Sequence, residues 1–264
     1  MTKFIAIIPA RYASTRFPGK PLAMLGGKTV VQRVYEQVAS VLNCQLSIVN
    51  CQPSPVWVAT DDDRIRQAVE QFGGRAVMTR ADHKSGTDRI EEAAEKIGTE
   101  ADVIINVQGD EPFIQPSQLQ TVCRLFDDPR TQIATLGKRF ETMEAVGNPN
   151  SPKIVTDLDG YALYFSRSVI PFVRGRDHAE WLDHFPFLKH IGLYAYRRDV
   201  LAEITRLPQS PLELAESLEQ LRWLQHGYRI RVGLTDVETI GIDTPEDLAR
   251  AEAALMNAQS VTMG

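Results

Sequence analysis

No stretch of this sequence is both long and apolar, and none is repetitive or of low complexity. The N-terminal apolar run, Phe4 to Ala10, is too short for a membrane span and is ended at once by Arg11, with no cleavage segment after it. It reads as a buried strand, and no membrane partner is expected. Cysteine is scarce: Cys44, Cys51 and Cys123 form an odd set with no C-x-x-C pair and no histidines at ligand spacing. That excludes a disulfide frame and a zinc site and favours a reducing cytoplasmic setting. Excess positive charge is also missing. A formal net charge of −5 excludes a globally basic nucleic-acid binder, so any basic cluster is a local site for a small anion. What remains is ordinary globular material, 264 residues with 43% hydrophobic and 24% charged, enough for one large core or two modest ones.

Within it, apolar runs alternate with helical patterns: FIAIIPA, TVVQRVYEQVASVL, VWVAT, DDRIRQAVEQFG, RAVMT, GTDRIEEAAEKIG, VIINVQG and PSQLQTVCRLFDD. The alternation predicts an α/β fold. The strands are continuously apolar, so both faces are covered, as in a mostly parallel central sheet with helices on each side. The second half is less regular. KIVTDLDGYALYF reads as a hairpin turning at Asp159-Gly160, HIGLYAYRRDVL as a strand entering a helix, and PLELAESLEQLRWLQHG as one helix with Pro at its start and Gly at its end. RIRVGLT is a further strand. The last helix opens at DTPEDLARAEAAL with Thr244 as cap and Pro245 in the first turn. A soft boundary near residue 140 gives a core over 1–140, a smaller mixed α/β subdomain over 141–228, and a return strand and helix over 229–264.

Ligands of such sheets lie beyond the carboxyl ends of the strands, where the loop RYASTRFPGKPL and the turn QGDEP both fall. Arg11, Arg16 and Lys20 carry no acid among them, and Gly19 and Gly26-Gly27 would let backbone approach an oxygen. A P-loop is excluded, because Gly19-Lys20 is followed by Pro21. Two readings of the loop stand side by side, a polyphosphate cradle and a solvated turn. Asp110 and Asp243 stand where Mg²⁺ would need carboxylates. Thr244 already fills the cap position, which leaves Asp243 spare, whereas Asp110 after Gly109 also suits a plain turn.

The segments IIPARYASTRFPGKPL, MTRADHKSGTDRI, VQGDEP, YALYFSR, HIGLYAYR, SPLE, LEQLR and GIDTPEDL, in order from about residue 4 to residue 253, resemble the 3-deoxy-manno-octulosonate (Kdo) cytidylyltransferases. The first motif and the Gln-Gly-Asp-Glu-Pro turn are shared by other sugar nucleotidyltransferases. YFSR, HIGLYAYR and LEQLR are the specific segments. The resemblance implies a Rossmann-like nucleotidyltransferase fold and transfer of CMP from CTP to Kdo, giving CMP-Kdo and pyrophosphate for lipopolysaccharide-type glycoconjugates. It implies that Arg11, Arg16 and Lys20 hold the triphosphate, that Arg80, Ser85, Gly86 and Thr87 meet the cytosine and ribose, and that Asp110 and Asp243 hold Mg²⁺. Arg11, Lys20, Asp110 and Asp243 are then the catalytic set. Gln108, Arg167, His190, Tyr194, Glu219 and Gln220 fall on the sugar-acid site, with Arg167 suited to the carboxylate. It further implies a homodimer, placed on the aromatic strands of the middle segment. Competing expectations are a cytidylyltransferase for another acidic sugar such as sialic acid, and a catalytically silent nucleotide-binding protein on the same fold.

Overall fold

The strand β1 (Phe4–Ala10) is buried along its length, with Ile5, Ile7 and Ile8 fully enclosed, which explains why its sequence is apolar on both faces. The computed structural model describes residues 2–45, 56–238 and 241–262. It divides into two compact units, residues 1–119 with 239–264, and residues 120–238.

In the first unit β1 is followed by a hairpin of β2 (Met24–Leu25) and β3 (Lys28–Thr29), then α1 (Val30–Gln45), β4 (Val56–Thr60), α2 (Asp63–Gln71), β5 (Ala76–Met78), α3 (Gly86–Ile97) and β6 (Val103–Asn106). α4 (Pro116–Arg124) follows and carries the chain from the first unit into the second. β4 pairs with β1 in register Ala6↔Val56, β6 pairs on its other side in register Phe4↔Val103, and β5 adds to β4. All three pairings are parallel. Because the chain leaves β1 towards β4 and β5 and returns across to β6, the crevice between the carboxyl ends of β1 and β6 is a topological switch point. Local chemistry fixes the helix starts. Asp62 accepts from the Arg64 N–H at 2.9 Å to cap α2, and Ser85 accepts from the Asp88 N–H at 3.1 Å to cap α3.

The second unit holds β7 (Ile133–Arg139), α5 (Met143–Gly147), β8 (Lys153–Thr156), β9 (Ala162–Ser166), α6 (Trp181–His184), β10 (Leu188–Arg197), α7 (Arg198–Ile204), α8 (Pro211–Glu216), α9 (Gln220–Gln225) and β11 (Ile230–Leu234). β11 runs parallel to β7 in register Ile230↔Ile133, while β10 is antiparallel to β7 with a bulge between Ile191 and Tyr194. β8 and β9 form the expected hairpin, turned by Gly160 at φ 78°. The last helix, α10 (Pro245–Thr262), returns to the first unit and packs Leu248, Ala251 and Leu255 against Leu25, Val30 and Ile242.

Three expectations are revised and one strand is added. PLELAESLEQLRWLQHG is two helices, because Ser217 at φ 51° breaks it between α8 and α9. β7 is a strand with no counterpart in the sequence reading. The boundaries drawn at 140 and 228 do not coincide with the compact units, since β7 and β11 pair with each other and so stay together in the second. Gly26 and Gly27 supply the positive φ of the β2–β3 turn, 53° and 79°, and neither lines the crevice at the switch point. The long connection from Asn43 to Val56 lies outside the described residues apart from its ends.

Candidate active site

A cavity of about 370 Å³ opens at the switch point of the first unit. Its wall comes from the loop after β1 (Arg11, Arg16, Lys20), the turn after β6 (Gln108, Gly109, Asp110), the start of α3 (His83, Lys84, Ser85, Gly86, Arg89), and Asp243. Lys20 organises the centre. Its Nζ donates to Asp110 Oδ2 at 2.6 Å and to Asp243 Oδ1 at 3.2 Å, across 90 and 223 residues of sequence, and only 13% of its side chain is exposed. Arg16 reaches the other oxygen of Asp243 at 3.0 Å. Arg11 is exposed at the same cavity.

Asp243 arrives here through two local devices. The Ile242 N–H donates to the Asp110 carbonyl at 2.8 Å, which binds the segment before α10 to the turn after β6. The cap of α10 is built by Thr244, whose hydroxyl accepts from the Asp247 N–H at 3.2 Å, and by Asp247, whose carboxylate accepts from the N–H groups of Asp243 and Thr244 at 3.0 and 2.9 Å. The Asp243 carboxylate is therefore unused by the helix and faces the cations. Gly109 has a different role: a Cβ there would stand 2.7 Å from the Pro9 carbonyl, so only glycine lets the β6 turn close against the end of β1.

Two carboxylates converging on one ammonium form the oxygen donor set a divalent ion needs, with phosphate oxygens and water completing the shell. Among the described residues no group of three or more His, Cys, Asp and Glu gathers. Two carboxylates fit an ion such as Mg²⁺ that keeps waters and takes phosphate oxygens.

Of the proposed cytosine and ribose contacts, Ser85 and Gly86 are on the cavity wall, whereas Thr87 is buried at the first turn of α3 and Arg80 lies off the wall, 3.4 Å from Asp82 and 3.5 Å from Glu92. His83, Lys84 and Arg89 also line the cavity and have no counterpart among the candidates read from the sequence. His83 Nε2 meets Glu92 in a very short contact. Burial works to raise the Glu92 pKa, yet hydrogen bonds from Lys96, His83 and the Arg80 N–H outweigh it and hold the carboxyl down to about 2. Arg89 is buried and gives Nη1 to Thr79 Oγ1 at 2.6 Å and Nη2 to Asp61 at 3.1 Å. Lys84 is exposed on the wall. The signal was available in HKSGTDR, where residues 85 and 89 are one helical turn apart.

Gln108 lines this cavity; the remaining five sugar-acid candidates belong to the second unit. Arg167 Nε donates to the Glu216 carbonyl at 2.7 Å, Nη1 to the Pro149 carbonyl at 3.0 Å and Nη2 to the Ser217 carbonyl at 3.3 Å. Each terminal nitrogen keeps one N–H for a ligand oxygen. Thr135 Oγ1 lies 3.1 and 3.0 Å from the Ile191 and Leu193 carbonyls, where its single proton goes, so His190 Nε2 at 3.2 Å is the donor to that oxygen. The imidazole keeps Nδ1 as an acceptor, and burial lowers its pKa to about 4. Tyr194 follows the β10 bulge, stacks on Tyr196 at 5.9 Å and meets Trp223 edge-on at 5.3 Å. Burial drives its hydroxyl pKa well up, with Tyr196 and Glu219 adding and Thr135 opposing. Gln220 is buried with its Nε2 unpartnered, as is Trp223 Nε1, so both are donors awaiting an acceptor. Glu219 lies 3.8 Å from Arg222, a loose contact, because Arg222 gives its fork to the buried Glu213 at 2.5 and 2.8 Å.

The comparisons agree with this geometry at two levels. A family model described as Cytidylyltransferase matches residues 5–230, and the fold is shared with a 4-diphosphocytidyl-2C-methyl-D-erythritol synthase from Anaerococcus prevotii at a TM-score of 0.60 and 14% identity, covering 96% of this chain and 99% of that one. The fold is thus the α/β nucleotidyltransferase fold, with a mostly parallel central sheet and helices. More specifically, the 3-deoxy-manno-octulosonate cytidylyltransferase of Bacteroides thetaiotaomicron is 63% identical over 97% of this chain and 99% of its own length. A CMP:2-keto-3-deoxy-manno-octonic acid synthetase solved with CTP superimposes at a TM-score of 0.86 with 43% identity, covering 97% and 100% of the two chains. The chain belongs to the 3-deoxy-manno-octulosonate cytidylyltransferase family.

Proposed function

We propose that the chain transfers CMP from CTP to Kdo, releasing pyrophosphate and supplying CMP-Kdo for lipopolysaccharide-type glycoconjugates. The observation that carries the reading is the pair Asp110 and Asp243 sharing Lys20 in a cavity that also presents Arg11 and Arg16. Lys20 and Arg16, which pair with Asp110 and Asp243, would serve phosphate oxygens of a triphosphate, and the two carboxylates would hold Mg²⁺. When bound there, Mg²⁺ supplies charge neutralisation at the phosphates and acidifies the attacking hydroxyl. The chain's own contribution is positioning and electrostatic stabilisation. Arg11, Arg16 and Lys20 would hold the triphosphate and offset charge on departing pyrophosphate, and the Arg167 fork would hold the sugar carboxylate. His190, neutral throughout the physiological range, offers Nδ1 to a sugar hydroxyl.

A cytoplasmic location and a homodimer belong to the same proposal. Tyr161, Phe165, Tyr194 and Tyr196 are buried in the chain's own core, and Leu158, Leu163, Phe172, Leu214 and Leu234 are exposed large apolar residues of the second unit. The described residues contain no helix long and apolar enough to cross a membrane. The deciding assay is pyrophosphate release with CTP, UTP and ATP against a panel of sugar acids. CTP with Kdo should be the best pair. Preference for sialic acid would redirect the reading, and no turnover with any pair would refute it.

A further inference from the structure

Lys153, on β8, is fully enclosed, which is rare for a lysine without a carboxylate partner in hydrogen-bond contact. Its Nζ donates to two main-chain carbonyls, that of Arg167 at 2.5 Å and that of Asn148 at 3.1 Å. Both carbonyls belong to the frame around the Arg167 guanidinium. One is the arginine's own peptide, and the other begins the turn whose next carbonyl, Pro149, accepts from Arg167 Nη1. The opposite side of the frame is held by Glu216, whose carboxylate accepts from the Ser166 hydroxyl at 2.6 Å and the Arg167 N–H at 2.8 Å, and whose carbonyl takes Arg167 Nε. Glu216 therefore fixes the arginine from the α8 side and Lys153 fixes it from the β8 side. Burial lowers the lysine's pKa, with Glu216 opposing and the Arg167 charge adding, so the fold pays to keep an ammonium here.

We propose that Lys153 is a positioning residue for sugar-acid recognition: it locks the Arg167 peptide to the Asn148–Pro149 turn and so fixes the direction in which the guanidinium meets the substrate carboxylate. The inference rests on the assignment of Arg167 to that carboxylate. A lysine that only filled core volume would affect both substrates alike once the protein had folded, whereas one acting through Arg167 affects the sugar acid alone.

The test compares Lys153→Met, Arg167→Lys and the double variant, measuring KM for Kdo and for CTP with thermal unfolding as a control. Lys153→Met should raise the KM for Kdo by at least ~10-fold, the scale of one lost charged contact, and leave the KM for CTP within about twofold. In the Arg167→Lys background it should add little, because the two residues act as a unit. An unchanged KM for Kdo in Lys153→Met, an equal rise for both substrates, or full additivity, each beside an impaired Arg167→Lys, would overturn the role of Lys153 and leave that of Arg167 standing. If Arg167→Lys leaves Kdo kinetics untouched, both assignments fall. Should Lys153→Met not fold, Lys153→Gln, whose amide is one atom short of the two carbonyls, carries the same comparison with the same outcomes.

Discussion

At the scale of single residues, charge placement dominates. Lys20 neutralises two carboxylates that would otherwise repel each other, and it holds them where a divalent ion and a triphosphate would meet. Asp110→Asn and Asp243→Asn should each lower kcat by at least ~10²-fold, since each removes a charged oxygen from a two-carboxylate set. Turnover measured at saturating Mg²⁺ checks this, and near-normal rates in either variant would remove the metal assignment. His190 gives a pH signature of its own. Its pKa is about 4 when folded against 6.5 ordinarily, so below 6.5 the unfolded chain takes a proton that the folded chain refuses. Its contribution to stability is complete above pH 6.5 and is lost as pH falls towards 4. Urea unfolding at about pH 7 and about pH 5 should show a smaller loss in His190→Gln than in the parent chain. An equal loss would contradict the burial argument.

At the scale of elements, helix ends decide what side chains are left for chemistry. The α10 cap is closed by Thr244 and Asp247, so Asp243 and Thr244 have separable duties although they are adjacent. Thr244→Ala should cost ~1 kcal/mol of stability, the usual loss for a threonine cap. Asp243→Asn should cost activity with little change in unfolding. Chemical denaturation of both variants beside their turnover tests the separation, and a large stability loss in Asp243→Asn would break it. The break between α8 and α9 has the same character. The residues from 211 to 225 are good helix formers, yet Ser217 takes a left-handed conformation, and the carbonyls of Glu216 and Ser217 are thereby given to Arg167. The buried Glu213–Arg222 fork, 2.5 Å at its shorter contact, ties the two short helices together across the break. Burial works to raise the Glu213 pKa, and the hydrogen bonds from Arg222 and the Ser210 N–H, together with the Arg222 charge, outweigh it and hold the carboxyl down.

At the scale of the whole molecule, Tyr161, Phe165, Tyr194 and Tyr196 belong to the core, and the aliphatic residues Leu158 and Leu163, on the β8–β9 hairpin, lie at the surface. A homodimer using that hairpin should sediment at twice 29.5 kDa at micromolar concentration. Leu163→Glu should shift it towards monomer, since two-fold symmetry presents the new charge twice. A mass of 29.5 kDa for the fully active parent would refute the dimer.

The sequence by itself determined β1, β4, β5 and β6 and the helices between them, because a strand buried on both faces must be apolar throughout and an amphipathic helix must repeat at its own period. It also brought Arg11, Lys20 and Asp110 to one cavity, since they lie in the loops that follow those strands, where a parallel sheet opens its crevice. Tertiary structure decided the rest. Lys20 and Asp243 meet across 223 residues, β7 is recognisable as a strand only through its partners β10 and β11, and the Ser217 break answers to hydrogen bonds from Arg167, fifty positions away. The division has one physical cause. Periodicity and capping act over a few residues and leave a local trace, whereas ion pairs, sheet neighbours and buried donors are satisfied by groups that only the folded chain brings together.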